Sequence, residues 1–310
     1  MKLIAIATAV FSLLIASASM ASALPGFVAA PDAKITFEEY MTVLEEVCLT
    51  GKPDYCQHLA FVLQRGKDTG ATKARSDRLH QAALEHYQKQ CDAADLVACQ
   101  NVSIIFQVGY GRPIDMPSAE LSRQQFQKLA HTLCDNKDAL GCFYVSNALN
   151  GTGNSDYNPD KAKKISDLSL EYFARDCANK NAKACELLAH RYYNGQIYGG
   201  YIPYDIQRAI ALFDSGCQYG NPDACITLGN IYKLGSGVKT DKNKAALYDQ
   251  KGCDLESAIS CSNLLSGGRA SSGIKWTKEQ KKTLQDEVSR LARRNCSTGK
   301  LPDCSLLKLK

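Results

Sequence analysis

Aliphatic and small residues recur along this chain at the spacing of one face of an α-helix. After a recurring cysteine, an aliphatic residue stands at the third position, a small residue at the fourth and a large apolar residue at the seventh. The third position holds Leu59, Val102, Val145, Leu188, Leu228, Leu264 and Leu307. The fourth holds Ala60, Ser103, Ser146, Ala189 and Gly229, with Leu265 as the exception, and the seventh holds Leu63, Phe106, Leu149, Tyr192 and Tyr232. This spacing predicts a helix, called helix A, whose buried face a neighbouring helix approaches closely.

The cysteines indicate that this helix belongs to a repeat. All 14 cysteines fall into pairs of the form C-x7-C. The pairs are Cys48 and Cys56, Cys91 and Cys99, Cys134 and Cys142, Cys177 and Cys185, Cys217 and Cys225, Cys253 and Cys261, and Cys296 and Cys304. Their first members stand 43, 43, 43, 40, 36 and 43 residues apart. A fixed local motif with a period of about 40 residues is typical of a repeat array.

A second apolar stripe lies upstream of each pair. Five residues before the first cysteine stand Val43, His86, Leu129, Tyr172, Leu212, Tyr248 and Leu291. They predict the buried face of a second helix, called helix B, which ends near that cysteine. Each unit is therefore helix A, a loop, helix B and a short turn. The predicted fold class is an all-α solenoid of stacked αα-hairpins.

Helix start signals stand where this organisation requires them. N-cap residue types occur four positions before the second cysteine, at Asp95, Asp138, Asn181, Asn221 and Ser257. Pro222 follows at the favoured first helical position. Two helices B are expected to begin with capping boxes, formed by Thr36 with Glu39 and by Thr277 with Gln280.

The cysteine content also indicates the compartment. Cysteine makes up 14 of 310 residues, and no C-x2-C motif occurs, so we expect disulfides in an oxidising compartment and no metal. Two regular pairing schemes are open: Cys48 with Cys56 and onward, or Cys56 with Cys91 and onward. The first has constant spacing, whereas the second varies and leaves Cys48 and Cys304 unpaired. We therefore predict seven bridges within the C-x7-C pairs.

The N-terminal segment predicts export. Lys2 precedes an apolar run, residues 3–15, that is too short to span a bilayer, and Ala21-Ser22-Ala23 has the form of a cleavage site. We expect residues 1–23 to be a cleaved signal peptide, 24–34 an N-terminal segment and 35–310 the solenoid, with no membrane span after cleavage. The net charge of +5 without a Lys/Arg run longer than two gives no support to nucleic-acid binding.

The unit from Cys225 to Cys261 resembles a known family. It contains the strings LGNIY, GSGV and DKNKAALY before its cysteine pair. This resembles a Sel1-like repeat, a relative of the tetratricopeptide repeat, and the regular cysteine staple is most similar to the secreted helical cysteine-rich (Hcp) branch of bacterial proteins. The resemblance covers residues 35–310, although other units carry up to seven extra loop residues. It implies a partner-binding scaffold, and more loosely an enzyme, since some Hcp members are described as penicillin-binding proteins or weak β-lactamases.

Catalytic motifs for such an enzyme are sparse. The two S-x-x-K strings begin at Ser236 and Ser272, about the number that chance predicts, and both fall in A–B loops rather than at a helix start. No KTG, GxSxG or HExxH string occurs. The histidines, which are His58, His80, His86, His131 and His190, show no ligand spacing. The sequence therefore identifies no catalytic residue, and we expect any β-lactamase activity to be independent of Ser236 and Ser272.

Helices A are expected to line the concave side of the superhelix. Their second and fifth positions after the second cysteine point away from the core and are rich in Asn, with Tyr and His. Such a column can hydrogen-bond a peptide backbone or a terminal carboxylate; an ordinary solvated helix face is the alternative. The column holds Asn101, Tyr144, Thr227, Asn263, Asn147, His190, Asn230 and Ser266, interrupted by His58, Phe61, Ile104 and Leu187.

A second candidate surface is the A–B loop from Tyr193 to Tyr204, which is rich in Tyr and Gly. Tyrosine covers a large contact area at a low cost in side-chain entropy, as contact surfaces require. The alternative is that these rings only pack the loop onto the solenoid, as Tyr192 is expected to do from its core position.

These observations predict an exported, disulfide-stapled scaffold, located in the periplasm or secreted, that binds a protein, a peptide or a cell-wall fragment. The alternative is a β-lactam-binding protein with weak β-lactamase activity. The expected binding residues are Tyr144, Asn147, His190, Tyr193, Tyr198, Tyr201 and Asn230. We expect a monomer that needs no cofactor and no metal.

Overall fold

Paired helices make up most of the molecule. The computed structural model describes residues 34–35, 37–64, 70–151, 157–195, 202–267 and 276–309. Helices of type B are α1 (Phe37–Leu49), α3 (Gly70–Asp92), α5 (Met116–Asp135), α7 (Pro159–Ala178), α9 (Ile206–Gln218), α11 (Lys242–Asp254) and α13 (Lys278–Ser297). Helices of type A are α2 (Pro53–Gln64), α4 (Leu96–Val108), α6 (Ala139–Asn150), α8 (Ala182–Asn194), α10 (Pro222–Leu234), α12 (Ala258–Gly267) and α14 (Leu301–Cys304). Consecutive helices pack against each other along the whole series, which confirms the predicted solenoid of helical hairpins.

The disulfides follow the predicted scheme. All seven C-x7-C pairs are bridged, with Cα–Cα distances from 4.4 Å in the Cys134–Cys142 bridge to 4.8 Å in the Cys48–Cys56 bridge, and no cysteine is free. Each bridge joins the end of a helix B to the start of the next helix A. Because each closed loop is short, a bridge stabilises one joint by about 2–3 kcal/mol in the chain-entropy model.

The core columns of helices A and B differ in how well the sequence predicts them. All seven aliphatic residues at the third position of helix A are buried, as expected. In helix B the fully buried column lies four residues before the first cysteine, not five. It contains Leu44, Tyr87, Ala130, Phe173, Phe213, Asp249 and Ala292. The expected column is only half-buried except at Leu291. The error arose because the true column mixes alanine, aromatic residues and one aspartate, so its average hydrophobicity does not mark it.

The predicted helix starts are confirmed where the structure describes them. Asp95, Asp138, Asn181 and Asn221 accept hydrogen bonds from backbone N–H groups in the first turns of α4, α6, α8 and α10, and Ser257 accepts one from Ser260. Thr277 and Gln280 form the predicted capping box. Thr36 lies outside the described residues.

The two ends of the solenoid meet. Strand β1 (Lys34–Ile35) pairs in parallel with β2 (Lys308–Leu309). The Tyr55 hydroxyl of α2 donates a 3.2 Å hydrogen bond to the backbone carbonyl of Cys296 in α13. Apolar side chains from both ends belong to one core cluster, including Met41 and Leu44 of α1 and Val288 and Leu291 of α13.

This contact joins the two ends of the repeat array, which is called the ring below. The terminal units of an open repeat array need polar outer faces to stay soluble. Here the first and last units instead bury each other's apolar faces, with Leu306 fully buried just beyond α14. Local sequence patterns predict the repeats but not this closure, since no local motif marks contacts between residues 241 positions apart.

Candidate functional site

The inner face of the ring is the candidate binding surface. It is defined here as the second and fifth positions after the second cysteine on helices A. Asp223 at the start of α10 interacts electrostatically with Lys300 and Asp303 at α14, two repeats further along the chain. This proximity places the starts of these helices A on the inner side of the curve.

Every predicted residue of the inner face is half-buried. The residues are His58, Phe61, Asn101, Ile104, Tyr144, Asn147, Leu187, His190, Thr227, Asn230, Asn263 and Ser266. By contrast, positions on helices B include exposed side chains such as Leu121 (69%) and Leu168 (40%). Half-burial is compatible with a concave surface, and the role of these residues in binding stays a prediction.

Arg191 of α8 stacks on the aromatic ring of Phe143 in α6. The Cζ atom of Arg191 stands 3.7 Å from the ring centroid of Phe143. Phe143 in turn contacts Tyr144, at a centroid distance of 5.1 Å, and Tyr144 packs edge-on against Phe126 at 5.2 Å. Burial lowers the pKa of Arg191 to about 10 and raises that of Tyr144. Arg191 was not a candidate in the sequence analysis, because its position is not one of the two inner columns.

A buried carboxylate with three partners lies nearby on α8. Glu186 has 4% of its side chain exposed and lies 2.6 Å from Lys183 Nζ and 3.6 Å from His190 Nε2. Asn221 Nδ2 donates a 2.8 Å hydrogen bond to Glu186 Oε2, the same oxygen that Lys183 contacts. Burial by itself raises the pKa of Glu186, but hydrogen bonds from His190, Lys183 and Asn221 outweigh burial and lower that pKa to about 2. His190 is therefore held on the inner face by Glu186 and by an edge-on contact with Phe213 at 4.8 Å.

The inner face at α10 carries an amide without a partner. Asn230 Nδ2 is buried and finds no hydrogen-bond acceptor among the described residues. On the opposite side of α10, Gly229 leaves room for the carboxylate of Asp249, whose Oδ1 atom lies 2.8 Å from where a Cβ at Gly229 would stand. Asn263 Nδ2 donates a 3.3 Å hydrogen bond to that oxygen. Burial raises the pKa of Asp249 to about 7 despite Asn263 and Lys233.

The aromatic A–B loop lies largely outside the described residues. Tyr198 and Tyr201 are not described, so their predicted binding role stays a prediction. Tyr192 is buried as expected, and Tyr193 is half-buried with its ring 6.3 Å from that of Phe213. Tyr204, at the far end of the loop, is 55% exposed.

The described residues give little support to a serine active site, a metal site or a membrane-spanning helix. Ser236 lies in the turn after α10, and Ser272 lies outside the described residues. Within the described ranges, no group of three or more His, Cys, Asp or Glu side chains is arranged to hold a metal ion. No described helix combines the length and the apolar character that crossing a membrane requires.

Comparisons with known proteins identify similar proteins at low sequence identity. No family model matches the chain. Cytochrome c oxidase assembly factor 7 of Xenopus tropicalis is 26% identical over 214 residues, which cover 67% of this chain and 82% of that protein. Among solved structures, a Sel1 repeat protein from Oxalobacter formigenes has 18% identity and a TM-score of 0.39, covering 81% of this chain and 99% of the other. A protective antigen of uropathogenic Escherichia coli with an SLR fold has 16% identity and a TM-score of 0.30, covering 84% of this chain and 64% of the other.

The coordinates themselves decide the architecture. Helix A, loop and helix B follow one another through the chain, and a C-x7-C bridge closes every joint between them. The fold is a disulfide-stapled solenoid of helical hairpins. The predicted resemblance to Sel1-like repeat proteins is confirmed at the level of this repeat unit. Assignment to the secreted helical cysteine-rich branch stays a prediction.

Proposed function

We propose that this protein is an exported scaffold that binds a polypeptide on the inner face of its ring. The observation that carries the proposal is unused hydrogen-bonding capacity on the inner face, at Asn230, and beside it, at Arg191. Asn230 has a buried amide without a partner, and the Arg191 guanidinium on Phe143 has no carboxylate partner among the described residues. Buried polar groups in native proteins are normally paired, so unpaired groups on a concave surface favour a ligand that completes them.

Export is supported by two independent features. Seven structural disulfides persist in oxidising compartments and are rare in reducing ones. Residues 1–23 have the pattern of a signal peptide. We therefore propose that the protein resides in the periplasm or outside the cell.

The curated relative has a name that is compatible with a scaffold. It is called a cytochrome c oxidase assembly factor, and assembly of a protein complex involves contact with other polypeptides. We propose a polypeptide ligand for this chain on that ground and on the chemistry of the inner face. No specific observation favours β-lactam binding, and that alternative stays untested.

Site-specific photo-crosslinking in the producing cell tests the proposal. A benzophenone amino acid replaces Tyr144 or Asn147 on the inner face, and as a control Leu168 on the outer face of α7, which is 40% exposed. We expect a protease-sensitive adduct from both inner positions and none from position 168. Equal adducts from position 168, no adduct from either inner position, or an adduct that lysozyme but not protease removes would overturn a polypeptide site on the inner face.

A further inference from the structure

Arg191 is an exception among the arginines of this protein. Four other arginines in the described part of the chain are half-buried, and each lies within 4.0 Å of a carboxylate oxygen. They are Arg75 with Glu45, Arg112 with Asp115, Arg123 with Glu120 and Arg294 with Glu256. Arg191 is also half-buried, yet no described carboxylate lies within that distance and no described side chain accepts a hydrogen bond from it.

The surroundings of Arg191 hold the guanidinium in place without neutralising it. One face rests on the Phe143 ring at 3.7 Å, a stacking contact that leaves the N–H groups at the edge of the guanidinium free. Tyr144 of α6 is close enough to interact with it electrostatically. The nearest carboxylate on the same helix, Glu186, is already engaged by Lys183, His190 and Asn221.

Arg191 is half-buried rather than enclosed. None of its nitrogens is among the buried side-chain nitrogens without a partner in the described residues, which include the Nε atom of Arg112 and the Nδ2 atom of Asn230. A desolvated arginine with a free edge binds a carboxylate in a bidentate geometry. The Tyr144 hydroxyl supplies a further donor next to it.

We propose that Arg191, stacked on Phe143 and flanked by Tyr144, is a receptor site for a carboxylate group of the bound polypeptide. The proposal rests on the proposed function for its ligand class and adds the group that is recognised. The carboxylate comes either from the C-terminus of the partner or from an Asp or Glu side chain. Both sources offer the same pair of oxygens, and the experiment distinguishes them.

The test uses small probes and NMR on the mature protein labelled with ¹⁵N at arginine. The probes are N-acetylglycine for a terminal carboxylate, N-acetyl-aspartyl amide for a side-chain carboxylate and N-acetylglycinamide as the neutral analogue. We expect a saturable shift of the Arg191 Nε–Hε signal with at least one carboxylate probe and none with the neutral one. Arg208 is the matched control, since it stacks on Tyr192 at 4.3 Å and is exposed; its signal should not saturate.

Variants separate binding from folding in the same experiment. Arg191→Gln should weaken the apparent probe affinity, followed through the backbone signals of Phe143 and Tyr144, by about tenfold or more. Arg191→Lys keeps the charge but loses the bidentate hydrogen-bonding geometry of the guanidinium, so it should retain part of that affinity. No saturable shift with either carboxylate, an equal shift with the neutral probe, or unchanged affinity in Arg191→Gln would overturn the proposal. Such a result leaves the crosslinking at positions 144 and 147 unaffected, so failure here and failure of the proposed function are distinguishable.

Discussion

Two charged side chains on α8, five residues apart, have opposite surroundings. Glu186 is buried and touches Lys183, His190 and Asn221, so its charge is fully compensated within the protein. Arg191 is half-buried and rests on Phe143 without a carboxylate partner among the described residues. Both lie in one repeat, and the same disulfide, Cys177–Cys185, fixes the start of their helix.

The difference indicates two kinds of charged site on one helix beside the inner face. A charge that is buried with all its partners present stabilises the fold at neutral pH, and removing one partner leaves the others uncompensated. A charge that is held in position but lacks a counterion contributes little to folding and is available to a ligand. Asp249 is an intermediate case, since it is buried with a hydrogen bond from Asn263 and its pKa is raised rather than lowered.

The largest effect on stability is expected from Glu186→Gln. The neutral amide leaves Lys183 and His190 without their carboxylate, so the free energy of unfolding at pH 7 should fall by about 3 kcal/mol. The pKa of Glu186 is lowered to about 2 in the folded protein, so this stability is present above the unfolded-state pKa of about 4.3 and is lost as the pH falls towards 2. Urea unfolding of the wild type and the variant at pH 7 and pH 3 measures the loss at neutral pH and its decrease in acid.

The control for that variant is Glu287→Gln. Glu287 pairs with Arg290 on the surface of α13 at 2.6 Å, and an exposed pair contributes about 0–1 kcal/mol. If Glu287→Gln lowered the free energy of unfolding as much as Glu186→Gln does, the burial of Glu186 and its partners would not explain their contribution to stability.

Asp249→Asn should act in the opposite direction. The pKa of Asp249 is raised to about 7 in the folded protein, so the folded state retains a proton that the unfolded state loses, and wild-type stability should fall as the pH rises from about 4 to 7. The asparagine cannot ionise, and its oxygen can still accept from Asn263. We expect a gain of about 2 kcal/mol at pH 7 and no gain at pH 4, measured by thermal unfolding. A loss at both pH values would show that the carboxylate is better partnered than Asn263 alone indicates.

Tyr55→Phe tests whether the ring that carries both sites is closed. The variant removes only the hydroxyl that donates to the Cys296 carbonyl, so it should reduce stability by about 1 kcal/mol and speed hydrogen exchange in α1 and α13. Tyr157→Phe is the control, because Tyr157 is 49% exposed. Faster exchange confined to α2, with α13 unchanged, would argue against the closure.

The smallest effect on stability is expected for the aromatic loop. Tyr198→Ala combined with Tyr201→Ala should change the unfolding free energy by less than about 0.5 kcal/mol, as surface changes away from the core usually do. The same double change should weaken capture of the crosslinked partner by about tenfold, because an interface tyrosine often contributes 1 kcal/mol or more. A markedly lower melting temperature with intact capture would show that these rings pack the loop, and would restrict the binding surface to the inner face.

Local patterns predicted most of the fold, and long-range contacts account for what they missed. The C-x7-C spacing predicted all seven disulfides, and the sequence identified Asn221 as an N-cap residue. Its second role, as a donor to Glu186, depends on a residue 35 positions away. The lack of a carboxylate partner for Arg191 among the described residues was equally invisible, because it depends on which side chains surround the guanidinium in space. Ring closure depends on apolar residues such as Leu306, which in sequence look like any other core position.

Urea unfolding of Glu186→Gln and Arg191→Gln, measured side by side at pH 7, tests whether Glu186 stabilises the fold whereas Arg191 binds a ligand. Both variants remove one charge from α8; the first is isosteric, and the second shortens the side chain. We expect a loss of about 3 kcal/mol for Glu186→Gln and a change within about 1 kcal/mol for Arg191→Gln, since the lost stacking on Phe143 is offset by relief of an uncompensated charge. An equal loss for Arg191→Gln would show that Arg191 is a structural residue.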